Sequence, residues 1–231
     1  AMASLLFACW ILLQTPAVQT FVAKEVLESL NVTLNGRIKF SKIHIKPFTA
    51  LVLKDVALID TEPPTDRDGE SVDTVANAKT IVVTFSLKGL RRDGAIHIKR
   101  LSVSDGSFSL AKDERGSNIS RFFNKSGVNK KNKSTDLKIN ADRINVSDFR
   151  FRLLNLGSDI PPREYGIDWK NLDVTARVVR IHDLTFGGGR VSCDVKDISA
   201  IERSGYDILT MSGKATLEKG RTSVHDLSIQ D

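Results

Sequence analysis

Leu51-Val52-Leu53-Lys54-Asp55-Val56-Ala57-Leu58-Ile59-Asp60 sets a ten-place pattern, apolar at places 1, 3, 6 and 8 and closed by Asp at place 10. The same places hold Ile96, Ile98, Leu101, Val103 and Asp105, then Ile139, Ala141, Ile144, Val146 and Asp148, then Val174, Ala176, Val179, Ile181 and Asp183. A last copy follows, with Val224, Leu227, Ile229 and Asp231 at places 3, 6, 8 and 10. Successive closing Asp residues differ by 45, 43, 35 and 48 positions, a loose period that points to stacked or meandering repeats.

Alternation of apolar and polar residues puts one side of an extended strand on a core and the other in water. Places 1 and 3 have one parity and places 6 and 8 the other. A one-residue bulge between places 4 and 5 is therefore expected, at Lys54-Asp55, Lys99-Arg100 and Asp142-Arg143, to return both pairs to one face. The closing Asp, followed by Gly in Asp105-Gly106, reads as hairpin-turn chemistry.

Short alternating strands are expected throughout 32–231. Ile38 and Phe40 change parity to Ile43 and Ile45 across Ser41-Lys42, and Ile81, Val83, Phe85 and Leu87 alternate without a break. Further strands are expected over Ser107 to Ala111, Phe149 to Leu154, Tyr165 to Thr175, Arg190 to Val195 and Asp207 to Leu217. Glu62 to Glu70 reads as a loop, Gly187-Gly188-Gly189 as a hairpin turn, Asn118 to Phe123 as one short helix, and the basic stretch near 124–135 as a flexible loop.

Ahead of the strands, Ala1 to Leu13 carries no charge. A membrane helix needs about 20 apolar residues, so 1–15 is expected to be the C-terminal part of a transmembrane helix that starts upstream, in a fragment of a longer chain. Its anchor residues would be Leu5, Leu6, Phe7, Trp10, Ile11, Leu12 and Leu13. The alternative is a signal-peptide apolar region. Residues 16–31 place Val18, Phe21, Val22, Val26, Leu27 and Leu30 on helical spacing, an amphipathic helix suited to cap the open end of the sheet.

The 34 basic and 28 acidic residues leave a net charge of +6, a modest attraction to anionic surfaces. With aromatics at 6% and no basic helix, nucleic acid is not an expected partner. His44, His97, His182 and His225 fall in different strands with no metal-ligand spacing, and no nucleophile elbow or paired-carboxylate helix occurs. No catalytic residue, metal or cofactor is expected, and the chain is not expected to be an enzyme. Cys9 and Cys193 are too differently placed to pair, and Cys193 shares parity with Val191 and Val195 as a small buried residue. The Asn-x-Ser/Thr triplets at Asn31, Asn118, Asn124, Asn132 and Asn145 matter only in a glycosylating compartment.

Leu12-Leu13-Gln14-Thr15-Pro16-Ala17-Val18-Gln19-Thr20-Phe21, Leu51 to Val56 with Asp60, Asp73-Thr74-Val75 and Glu202-Arg203-Ser204-Gly205-Tyr206 together resemble the N-terminal part of TamB-like proteins of the AsmA-like superfamily. The resemblance implies a single-pass anchor in the inner membrane of a diderm bacterium, with the bulk of the chain in the periplasm. It also implies a long twisted antiparallel β-meander curled into a taco-like hydrophobic groove, a mainly β fold. The implied function is sheltering phospholipid acyl chains between inner and outer membranes. The alternative is a translocation and assembly module acting with an Omp85-type barrel on outer-membrane β-barrel proteins, through a C-terminal region absent here. The expected lipid-groove lining is Ile81, Val83, Phe85, Leu87, Ile96, Ile98, Leu101, Val103, Ile144, Val146, Phe149 and Phe151. A dry β-sandwich core would use the same residues, and a structural spacer would need no ligand.

Overall fold

The computed structural model describes residues 36–46, 50–64, 72–85, 96–123, 138–157, 165–218 and 221–231. They are mainly β, in one open, twisted, mixed sheet of long strands. The strands are β1 (Gly36–Lys39), β2 (Lys42–Lys46), β3 (Ala50–Asp60), β4 (Thr74–Phe85), β5 (Ile96–Asp113), β6 (Gly116–Ser117), β7 (Ile139–Asn155), β8 (Asp173–Gly187), β9 (Arg190–Glu202), β10 (Asp207–Glu218) and β11 (Arg221–Gln230). Helix α1 (Asn118–Phe123) lies between β6 and β7, where a short helix is expected. Across the sheet the order is β1-β3-β4-β5-β7-β8-β9-β10-β11, with β2 also on β3 and β6 on β5.

The meander is not wholly antiparallel. β5 and β7 pair in parallel, Leu101 beside Ile144 and Phe108 beside Phe151. Parallel neighbours need a crossover of a dozen or more residues, and the connection through 114–138 supplies it. Each residue of β5 thereby lies beside the one 43 positions later, so two copies of the repeat sit side by side in register. The remaining long neighbours are antiparallel, and Gly188-Gly189 (φ 59° and 73°) make the two-residue turn between β8 and β9.

The repeat's Asp residues do something other than close hairpins. Asp55, Asp105, Asp148, Asp183 and Asp226 adopt φ between 50° and 54°, the left-handed region that Asp tolerates and most side chains avoid. All five stand mid-strand: β3 runs on to Asp60, β5 to Asp113, β7 to Asn155, β8 to Gly187 and β11 to Gln230. The end copies are framed on Asp55 and Asp226 rather than on Asp60 and Asp231. The strand continues past each because pairing resumes on its far side, as Ser104–Thr80 and Gly106–Ala78 do around Asp105. Alternation changes phase at this residue, from Leu101 and Val103 before it to Phe108 and Leu110 after it, which returns the apolar side chains to one face. Asp60, by contrast, does end its strand: its Oδ1 accepts the Glu62 amide at 3.0 Å.

Of the three expected bulges only the one at Lys99-Arg100 is present; pairing runs on without a shift across Lys54-Asp55, where Asp55 is left-handed, and across Asp142-Arg143. Register shifts between Thr84 and Phe85, opposite Arg100 and Ile98, and between Ala176 and Val178 in β8. Asp142 instead lies level with the left-handed Asp183. β1 and β2 act as one strand broken at Ser41, whose amide bonds Lys54 O at 2.9 Å and whose hydroxyl bonds Asp55 Oδ2 at 2.5 Å.

Gly106 occupies a close approach. A Cβ there would strike the Asn77 carbonyl and lie 2.8 Å from the Phe149 ring. Past Phe108, β5 has no β4 neighbour, and Asn118 covers the freed edge: Ala111 N–H donates to its Oδ1 at 3.2 Å and its Nδ2 donates to Ser109 O at 2.7 Å. Asn118, Ser109 and Ala111 are all fully buried, so this Asn is not available as a glycan acceptor. Phe122 of α1 is buried against Gly36.

The expected strand at Tyr165 to Thr175 begins only at Asp173. Asp168 wraps the preceding backbone into a turn, accepting the Lys170 amide at 3.0 Å. The strand expected at Ile81 instead begins at Thr74. The anchor, the amphipathic helix 16–31, Leu87 and the basic stretch near 124–135 lie outside the described residues.

Asp148→Asn should leave stability within ~0.5 kcal/mol, whereas Asp148→Val should cost about 1–2 kcal/mol through its left-handed backbone, measured by urea unfolding. Asn118→Leu, which orphans Ala111 N–H and Ser109 O, should cost about 1–3 kcal/mol in the same assay.

Candidate functional site: an uncovered apolar sheet face

Directly paired residues share a face of a sheet, so the register can be read across the strands. One row runs Ile43, Leu53, Ile81, Val103, Val146, Val179, Ile198, Met211 and Ile229, each opposite the next. The next runs Ile45, Leu51, Val83, Leu101, Ile144, Ile181 and Val195. Beyond the left-handed Asp residues a third runs Val56, Ala78, Gly106, Phe149, Ala176, Ala200 and Ile208, and a fourth Ile38, Leu58, Ala76, Phe108, Phe151 and Val174. Phe108 and Phe151 stack with ring centroids 5.6 Å apart. Small residues flank Phe149 because the ring needs their space.

The alternate residues make the other face. Val82, Ser102, Asn145, Arg180 and Asp197 form one of its rows and Ser107, Arg150 and Thr175 another. Such a division is the pattern of an antiparallel sheet solvated on one side.

Among the described residues neither a second sheet nor a helical layer lies on the apolar rows. Ile81, Val83, Phe85, Ile98, Leu101, Val103, Ile144, Val146, Phe149 and Phe151 are half-buried rather than sealed. Ile96 lies in β5, but its side chain, like Leu87, is outside the described residues. Exposure rises towards the last strand, where Val224, Leu227 and Ile229 are 51%, 57% and 49% exposed. The fully buried apolar residues are mostly alanines, with Phe122, Val75, Val56 and Ile43. Seven strands ~4.8 Å apart and four rows ~7 Å apart span roughly 900 Å², more than the roughly 300–600 Å² of the largest apolar patch on an ordinary monomer.

Val179, Ile181, Ile198, Val195 and Met211 belong to these rows but not to the expected lining. The repeat already marked Val179 and Ile181; the others stand on strands that carry no copy of it, and only cross-strand register finds them.

Charge is confined to the polar face and the rims. Arg150 holds Asp173 through Nε–Oδ1 at 2.7 Å and Nη2–Oδ2 at 2.5 Å. This guanidinium, opposed by burial, keeps the Asp173 carboxyl below its ordinary value. Burial pushes Glu202 up, but the Ser204 hydroxyl and the amides of Ser204 and Asp173 outweigh it, and its net shift is down. Arg180–Asp197 ties β8 to its neighbour β9 at 2.7 Å, and Arg177–Asp207 reaches past β9 to the start of β10 at 2.8 Å. Cys193, opposite Ala215, is half-buried rather than sealed, and burial raises its thiol. The histidines lie on β2, β5, β8 and β11, one each. A cavity of about 480 Å³ at the β9–β11 end is lined by Arg190, Thr216, Glu218, Arg221, Ser223 and His225, a polar set unsuited to an apolar ligand.

Fold and site define a two-faced open β-sheet protein whose apolar side is left uncovered by the described residues. Compared with family models, curated proteins and solved structures, the chain matches none.

Arg150→Ala should raise the Asp173 pKa towards the ordinary carboxylate value, followed by carboxyl-carbon NMR. A depressed carboxyl stabilises the fold above its unfolded pKa and loses that contribution as pH falls through the folded one. The variant should therefore lose up to roughly 1 kcal/mol at neutral pH and nothing once Asp173 is protonated in both states, the half-exposed arginine limiting the size.

Proposed function

We propose that this chain is an inner-membrane-anchored periplasmic protein whose sheet curls into a groove and shelters phospholipid acyl chains in transit between inner and outer membranes. The observation that carries the reading is the set of four apolar rows crossing up to nine strands with nothing laid over them among the described residues. Lipid tails need contact that is apolar, continuous and free of polar traps, and the rows supply all three. The polar opposite face suits the aqueous periplasm. The anchor rests on the uncharged stretch Ala1 to Leu13; no helix among the described residues is long and apolar enough to cross a membrane. The role is non-enzymatic, and phospholipid is the partner.

A second reading is an assembly factor for outer-membrane β-barrel proteins, acting with an Omp85-type partner. It is favoured by β11, which has one neighbour among the described strands and so presents an edge suited to strand addition.

Photo-crosslinking in intact cells separates the two. A photoreactive residue at Val103 or Phe151, on the apolar rows, should give phospholipid adducts, and one at the exposed Thr175 of the polar face should not. Crosslinks from Val103 to other strands of this chain alone would exclude an open lipid path. Client-protein adducts concentrated on β11 would favour the assembly reading.

A further inference from the structure

Both tyrosines of the chain, and the one tryptophan outside its uncharged first stretch, gather at a single end of the sheet. This is the end where β7 and β9 finish and β8 and β10 begin. Tyr165 is 88% exposed and Trp169 71%, while Tyr206, on the neighbouring β9–β10 turn, is 38% exposed with its hydroxyl bonded to Asp231.

The backbone that holds Trp169 out is tied down. Asp168 is buried and takes the Lys170 amide at 3.0 Å and Asn171 Nδ2 at 3.1 Å. Asn171 Oδ1 accepts the amide of Asn155 at 2.9 Å, and Leu172 O that of Leu153 at 2.8 Å. The neighbouring turn is fastened to the same place by Arg203 N–H to Asp173 O at 2.9 Å. Exposing a tryptophan on so constrained a loop leaves a large amphipathic ring in water with no local compensation.

Charge selects the partner. Among the described residues of the two loops Lys170 and Arg203 are exposed, whereas Asp168 and Glu202 are buried and Asp173 and Asp207 are paired with Arg150 and Arg177; the exposed Asp231 beside them accepts the Tyr206 hydroxyl. Rings with one apolar and one wet side, flanked by exposed cations, match the interfacial zone of a bilayer.

We propose that this rim docks on the surface of a phospholipid bilayer, with Trp169 and Tyr165 at headgroup depth and Lys170 and Arg203 towards the phosphates. The inference is independent of whether the apolar rows carry lipid tails.

The test uses the full chain with Trp10→Phe, so that Trp169 is the sole tryptophan, and vesicles of mixed phosphatidylcholine and phosphatidylglycerol. Trp169 emission should shift to the blue and be quenched by lipids brominated near the headgroup. Because the uncharged first stretch can itself hold the chain on vesicles, the variants are read at Trp169 alone: Lys170→Glu with Arg203→Glu should abolish the shift and the quenching, and Tyr165→Ala should weaken both, with circular dichroism unchanged in both variants. Vesicle flotation with Trp169 emission unmoved, or no flotation, overturns the proposal. So does an equal shift with short-chain phospholipid below its micelle concentration, which would place the ring against a single lipid rather than a surface. Unmoved emission together with a photo-crosslink from position 169 to another protein in cells would assign the rim to a protein partner instead.

Discussion

Phase is the constraint on which this sheet depends. A strand of 17 or 18 residues, such as β7 or β5, has its side chains alternate from end to end. Regular alternation keeps every second residue on one face, so a sequence whose apolar places change parity midway along the strand needs a reset. The left-handed Asp residues and the bulges are those resets, and they fall at similar levels on neighbouring strands, Asp105 beside Asp148 and Asp142 opposite Asp183. Each costs some backbone strain, which Asp lowers relative to other side chains. The gain is that apolar rows before and after the reset belong to one surface. Without it, half of every long strand would turn Phe, Leu or Ile to the polar side.

A single sheet with one uncovered face also has to protect its ends and edges, because backbone groups left in apolar surroundings without partners cost more than they do in water. The chain does this with side chains as well as strands. Asn118 stands in for a missing strand beside Ala111 and Ser109. Glu202 collects the amides of Ser204 and Asp173, and Asp168 closes the loop ahead of β8. These carboxylates and amides consume local polarity at the rim, where Tyr165, Trp169, Lys170 and Arg203 stand exposed.

Much of the fold was legible because the repeat is written in residue types with physical consequences. Alternation located the strands, and the parity change across Lys54-Asp55 and Lys99-Arg100 located real irregularities. The hairpin at Gly187 to Gly189 and the helix at Asn118 were legible for the same reason. The meaning of the closing Asp was not: Asp-Gly reads equally as a turn or as a kink inside a strand. Pairing to strands tens of residues away decides between them. The parallel β5–β7 pair was hidden likewise, since local pattern carries no strand direction. Of the site, the rows on β4, β5 and β7 were legible from apolar spacing alone. Their continuation through Ile198, Val195 and Met211 appears only when register is known. The Tyr165 to Leu172 segment, apolar enough to pass for a strand, is a loop because Asp168 and Gly166 (φ 74°) bend it.

The energetics favour a surface that is adequate rather than tight. A lipid tail leaving a bilayer already has its CH2 groups out of water, at about 0.8 kcal/mol each. A carrier therefore need only approach the bilayer's hospitality along its length, and deep pockets would slow the passage they were meant to serve. Half-buried Val, Ile and Leu in unbroken rows meet that requirement, with no ion or unpaired amide along them to hold one position above the next. A sandwich core of the same composition would instead bury these side chains under a second layer, and its specificity would come from interdigitation. The small residues around Phe149 and Gly106 are packed against their own neighbours across the strands. The physical distinction between conduit and core therefore lies in what the side chains are fitted to. Here Phe149 and Gly106 are fitted within the plane of one sheet, and among the described residues no second layer lies on the apolar rows.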